Sequence, residues 1–137
     1  MKQYLLDTNY ILRLITNDNP QQYKIVRNIF DQTKADEFKL IIHPITVAEC
    51  VYVLTSPSLY NLSHQTTCKA LSVVFNQKNV ILEEAQTVNT ALNFYENNKL
   101  DFADCFLLAK YKINNLDDIK TFDQKILKLK NHIIANL

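Results

Sequence analysis

Glycine is absent from all 137 residues. The dinucleotide-binding turn of Rossmann type and the phosphate-cradling P-loop both need backbone that only glycine permits. Nucleotide-cofactor chemistry of those two kinds is therefore excluded. What the chain carries instead is an exchange of short apolar runs with helical patterns. Residues 3–6 predict a short strand, and residues 10–16 a helix. Residues 22–33 have helical spacing in Ile25, Ile29 and Phe30. Residues 38–43 predict a buried strand closed by Pro44, and residues 46–54 a helix with Val47, Val51 and Leu54 on one face. Residues 63–76 predict a helix and 79–82 a strand. A helix follows over 85–97, with Val88, Leu92 and Tyr95 on one face, and a strongly apolar one over 102–112. The pattern ends in a strand over 118–122, a short helix over 123–129 and a last strand over 132–136. Strands separated by helices argue for α/β architecture: a central parallel sheet with helices on both faces, in one domain over residues 1–137.

A hydrophobic content of 47% suits a packed core and is too high for a disordered chain. No apolar run reaches the roughly 18–20 residues of a membrane span. Asp7 interrupts the apolar start Tyr4-Leu5-Leu6, so no signal-peptide core is expected, and the protein is expected in the cytoplasm without a membrane partner. Cys50, Cys68 and Cys105 have no metal-binding spacing, and an odd number argues against a disulfide framework. They read as small apolar helix residues. The net charge of +1 is uninformative, but Lys110, Lys112, Lys120, Lys125, Lys128 and Lys130 crowd the C-terminal quarter. They form either a solvated helix face or a rim that contacts phosphates. His43, His64 and His132 lie far apart and in no Ser/His/Asp or Cys/His motif.

In parallel α/β sheets, ligands bind beyond the carboxyl ends of the strands. Asp7 follows the first predicted strand, Glu49 lies in the first turn after the second, and Asp123 follows the strand over 118–122. Asp101 and Asp104 open the apolar helix, and their i,i+3 spacing puts them on one face. Each acid alone has a plain structural explanation. Thr46-x-x-Glu49 has the form of a capping box, and Asp7, Asp101 and Asp123 are suited to cap helices. Capping does not explain why the candidates fall on one side of the predicted sheet, nor why few cations lie near them in sequence. Converging carboxylates need a cation among them. Oxygen-only donors select Mg²⁺ or Mn²⁺ over zinc. Two such ions about 3.5–4 Å apart can clamp the attacking and leaving oxygens of a phosphodiester, and a single ion remains an alternative.

The segment from Tyr4 through Asp7-Thr8-Asn9 to Arg13 resembles the opening of PIN-domain nucleases. Residues 45–54, around Thr46 and Glu49, resemble their second motif. Residues 100–109, around Asp101 and Asp104, resemble the third, and Thr121-Phe122-Asp123 the fourth. Each motif is weak alone, but the ordered set spans nearly the whole chain. Size and compactness are most similar to VapC-type toxins of bacterial toxin–antitoxin pairs. The resemblance implies a PIN-like three-layer α/β/α fold and a metal-dependent endoribonuclease. It also implies a homodimer held inactive by a cognate antitoxin protein. By position it implies Asp7, Glu49, Asp104 and Asp123 as the catalytic, metal-holding acids. Asp101 matches an extra acid, and Thr8, Asn9 and Thr121 match supporting polar residues. Relatives commonly have a glycine before the fourth motif. Here Asn114 or Asn115 is expected to take that turn, since Asn tolerates left-handed backbone. The competing readings are a housekeeping RNA-processing or repair nuclease of the same fold, a fold that only binds RNA, and a receiver-like phosphoacceptor. The last wants an acidic pair after its first strand, where this chain has only Asp7.

Overall fold

The computed structural model describes residues 1–135, with side chains through residue 133. The chain forms two compact units, Met1–Glu84 and Ala85–Leu137. The first holds β1 (Lys2–Leu5), α1 (Thr8–Thr16), α2 (Pro20–Lys34), β2 (Phe38–Ile42), α3 (Pro44–Thr55), α4 (His64–Phe75) and β3 (Val80–Leu82). The second holds α5 (Ala85–Asn97), α6 (Phe102–Ile113) and α7 (Gln124–Ala135). The three strands form a parallel sheet in the order β1-β2-β3. This is the α/β class expected from the alternation of apolar runs and helical patterns.

In β2 the residues Phe38, Leu40 and Ile42 are buried while Lys39 and Ile41 are partly open, the period-2 pattern of a strand packed on one face. Leu40, Ile42, Ile11, Phe30 and Leu54 are all but fully buried, and each contributes about 1.5–3 kcal/mol relative to exposure. In the second unit, Val88, Ala91, Leu92 and Tyr95 give α5 an apolar stripe at helical spacing, facing an α6 that buries Cys105, Leu108 and Ala109. The Tyr95 ring meets the Phe102 ring edge-on, 6.2 Å between centroids. All three cysteines are buried on helices, as their apolar reading expected.

Six residues take positive φ among those described: Asn17, Asp36, Asn61, Asn79, Glu84 and Asn115. Four of the six are asparagine, the residue whose short amide best tolerates left-handed backbone when no glycine exists. Asn115, at φ 50°, takes the turn expected of Asn114 or Asn115.

Three expectations are corrected. The helix predicted to start at Thr46 starts at Pro44, where a proline costs no amide hydrogen bond. His43 is its N-cap, with Nδ1 accepting from the Ile45 amide at 3.0 Å. Residues 118–122 form no strand. There Asp118 Oδ1 accepts from the Ile119 amide and Thr121 Oγ1 from the Asp123 amide, so side chains take donors that a ladder would use. The last predicted strand, over 132–136, is the end of α7 through Ala135, with Asn136 outside the described residues. No helix among the described residues is long and apolar enough to cross a membrane.

Candidate functional site

Parallel pairing of Leu5 with Ile41 brings the carboxyl ends of β1 and β2 to the same sheet edge. Asp7 lies just beyond β1, with Leu6 between them. The corrected start of α3 places Glu49 on that helix's second turn, too far along for the capping box that Thr46-x-x-Glu49 suggested. The side chain of Glu49 turns instead to the β1 end, where the buried Thr8 hydroxyl donates to Glu49 Oε2 at 2.9 Å. Asp7 occupies the N-cap position of α1 with extended backbone, yet its side chain makes no cap hydrogen bond. Its carboxylate is therefore not consumed by the helix it precedes. Asp7 and Asn9 also line a cleft of about 200 Å³ with Tyr10 and Arg13. The Arg13 guanidinium is engaged by Gln22 at 2.7 Å and Asp18 at 3.6 Å.

Cys50 reports on the same corner. Its thiol is fully buried and reaches toward the Thr8 carbonyl at 4.0 Å. Burial pushes the thiol up to about 12, and the negative charges of Glu49 and then Asp7 push the same way. Both carboxylates thus act on one buried sulfur. A protonated, enclosed thiol is a poor nucleophile. Native protein at pH 8 is expected to show no fast reaction of Cys50 with a thiol reagent, and full reaction after denaturation. Rapid labelling of Cys50 in the folded chain contradicts this placement.

The second unit carries the other acids. Asp101 is the N-cap of α6 and makes no side-chain cap hydrogen bond. Asp104 sits in the first turn of α6, half-buried. Burial raises its carboxyl above the ordinary value, and the charges of Asp123 and then Asp101 raise it further, while Lys125 opposes them. Asp123 behaves as the capping explanation expected. Its Oδ1 accepts from the Lys125 amide at 2.8 Å and the Ile126 amide at 3.3 Å. Because residues 118–122 are not a strand, Asp123 does not follow a strand end as expected. Thr121 supports the turn by accepting from the Asp123 amide at 3.0 Å.

Among the described residues no three His, Cys, Asp or Glu side chains gather closely enough to hold one metal ion. What each unit presents is a looser grouping: Asp7 and Glu49 at the Thr8 corner in the first, and in the second Asp104 within electrostatic reach of Asp123 and Asp101. All donors are carboxylate oxygens, and Asp7 and Asp101 have oxygens that no cap uses. That donor chemistry fits a hard divalent cation.

The PIN domain family model matches residues 4–131, nearly the whole chain. The chain belongs to the PIN-domain family. With that membership comes the expected architecture, a PIN-like three-layer α/β/α fold with a central parallel sheet flanked by helices. No curated protein and no solved structure matches the chain significantly.

The C-terminal lysines divide in a way their spacing could not show. Lys120 and Lys130 both pair with Asp118, at 3.0 and 2.7 Å, and hold its carboxyl well below the usual range. Lys112 lies over the Phe94 ring, 5.8 Å from its centroid. Lys125 and Lys128 line a cleft together with Lys99, which sequence reading missed because it lies in the turn between α5 and α6, outside the C-terminal cluster.

Proposed function

We propose that this PIN-domain protein is a Mg²⁺- or Mn²⁺-dependent endoribonuclease that hydrolyses RNA phosphodiester bonds. In this reading it is the toxin of a type II toxin–antitoxin pair, a homodimer held inactive by a cognate antitoxin protein. The observation that carries the nuclease reading is the Asp7–Thr8–Glu49 corner. There Asp7, just beyond β1, keeps a carboxylate unused as a cap, and Glu49 of α3 is oriented by the buried hydroxyl of Thr8, the residue next to Asp7. The ordered resemblance of all four motifs supports the nuclease reading, and the size and compactness of the chain support the toxin reading.

Asp7, Glu49, Asp104 and Asp123, the acids at the family's motif positions, are proposed to hold the metal. Bound Mg²⁺ or Mn²⁺ would supply Lewis-acid stabilisation of charge on phosphodiester oxygens. The chain's own residues prepare for this. Thr8 fixes the Glu49 carboxylate in one orientation, which lowers the ordering cost of ligation. Thr121 holds the backbone turn that presents Asp123, whose second oxygen is free of the α7 amides. The Cys50 thiol stays protonated beneath the corner and contributes no competing anion.

The test is an RNA cleavage assay with purified protein. Cleavage is expected with Mg²⁺ or Mn²⁺ and none in excess EDTA, with 5′-phosphate and 3′-hydroxyl ends because water attacks rather than the 2′ oxygen. Full activity in chelator, or 2′,3′-cyclic phosphate ends, overturns the mechanism. Growth arrest on expression, relieved by co-expressing a small DNA-binding protein encoded just upstream, is the expected sign of the toxin role.

A further inference from the structure

We propose that the cleft lined by Lys99, Lys125 and Lys128 binds a backbone phosphate of the RNA strand beside the scissile position. The proposal rests on the ribonuclease reading for the identity of the polyanion. The cleft lies wholly within the second unit and has a volume of about 410 Å³. The turn between α5 and α6 supplies Asn98, Lys99 and Leu100, and α7 supplies Lys125, Lys128, Leu129 and His132. The three lysines are exposed, and none has an ion-pair partner among the described residues. That sets them apart from Lys78, Lys120 and Lys130, each of which is neutralised by a carboxylate 2.7–3.0 Å away. Three ammonium groups around one concavity repel one another, and an anion removes that cost.

Placement names the anion. Lys125 belongs to the cleft, and its backbone amide donates to Asp123 Oδ1 at 2.8 Å, so the basic wall adjoins an acid of the same unit. A strand whose reacting phosphate lies at carboxylates needs its neighbouring phosphates held by cations, because the acids repel the rest of the backbone. Leu100 and Leu129 give the cleft an apolar part of its lining, which suits a sugar or base edge better than a second charge. An acidic protein segment is the other polyanion such a wall attracts. The neighbouring catalytic-type acids favour RNA, since a peptide carboxylate gains nothing from lying beside Asp104.

The experiment is fluorescence anisotropy with a labelled single-stranded RNA in EDTA, so that binding is read without cleavage. Lys99→Gln, Lys125→Gln and Lys128→Gln are made singly and together, with folding checked by circular dichroism. A Lys24→Gln, Lys34→Gln, Lys69→Gln triple variant removes equal charge elsewhere on exposed positions. Each cleft substitution is expected to weaken binding about 3–10-fold and to flatten the dependence of log Kd on log salt by about 0.7. The control triple is expected to keep most of the wild-type slope. Equal losses in the cleft and control triples overturn the assignment in favour of diffuse charge. Wild-type affinity in the cleft triple, or no RNA binding by the wild type, overturns it as well. So does a Glu/Asp-rich peptide that binds more tightly than RNA and depends on the same lysines. A separate metal-supplemented cleavage assay keeps the two proposals apart. Cleft-dependent RNA binding without cleavage supports the cleft and sinks the nuclease, while cleavage with cleft-independent binding does the reverse.

Discussion

Asp104→Asn is expected to reduce metal-dependent RNA cleavage by about 10²-fold or more, while Asp101→Asn loses far less. The sequence alone ranks them only by family position, since i,i+3 spacing places both on one helix face. Their environments differ in the structure. Asp104 is half-buried and feels Asp123 and Asp101 together, whereas Asp101 is exposed at the helix start. A cation relieves most strain where burial and like charge coincide, which is at Asp104. The same environment sets a sign for stability. A raised carboxyl means the folded chain binds its proton more tightly than the unfolded one. Stability of the metal-free protein then falls as pH rises from the ordinary carboxylate value through the raised folded value, and the loss persists above it. Asp104→Asn removes that loss, so the metal-free variant is expected to melt about 1–3 °C above wild type at neutral pH. Cleavage rates and melting curves of the two folded variants check both statements. Equal cleavage losses make Asp101 as much a ligand as Asp104. A lower melting point for Asp104→Asn in EDTA means that its carboxylate stabilises the helix start instead.

Manganese is expected to raise the melting temperature of the wild type, and Asp7→Asn is expected to remove most of that rise. A ligand at about one hundred times its Kd adds about 2.7 kcal/mol. For a chain of this size that corresponds to about 6–10 °C. In EDTA the variant is expected to melt at or above wild type. Loss of a helix cap would give the opposite sign, at a cost of up to ~2 kcal/mol and less for Asn. Asp7 makes no side-chain cap bond to lose, so only its favourable position at the α1 dipole opposes the relief of repulsion from Glu49. That dipole effect is about 0.3–1 kcal/mol and is weakened by solvent at an exposed site. Melting of both proteins with and without Mn²⁺ decides the matter. An equal Mn²⁺ shift in both removes Asp7 from the ligand set.

Much of the fold was legible in the residue pattern because it depends on local periodicity. The stripe of Val88, Leu92 and Tyr95 marks α5 over the residues expected, and the apolar run of α6 differs from expectation by one residue at its end. The parallel sheet followed from strands separated by helices. The place of Asp7 and Glu49 at one sheet edge followed from strand ends alone, because parallel strands put their carboxyl ends together. Asparagine at Asn115 could be assigned to a left-handed turn from its chemistry.

Whatever depended on a partner distant in the chain was decided by tertiary structure. A cap is a hydrogen bond, and the same residue type makes it or not according to what else lies in reach. Asp123 caps α7, while Asp7 and Asp101 occupy cap positions without doing so. Glu49 looked like the far half of a capping box until His43 took the N-cap and moved the helix start to Pro44, which left Glu49 to Thr8, a residue 41 positions away. Residues 118–122 read as a strand in sequence, but a strand exists only when a neighbour accepts its ladder, and here Asp118 and Thr121 satisfy the backbone locally. The lysines sort by the same logic. Asp118 neutralises Lys120 and Lys130, and the fold draws Lys99 from another turn to join Lys125 and Lys128 around one cleft. Periodicity is a property of a segment, whereas capping, pairing and charge neutralisation are properties of pairs, and only folding chooses the pairs.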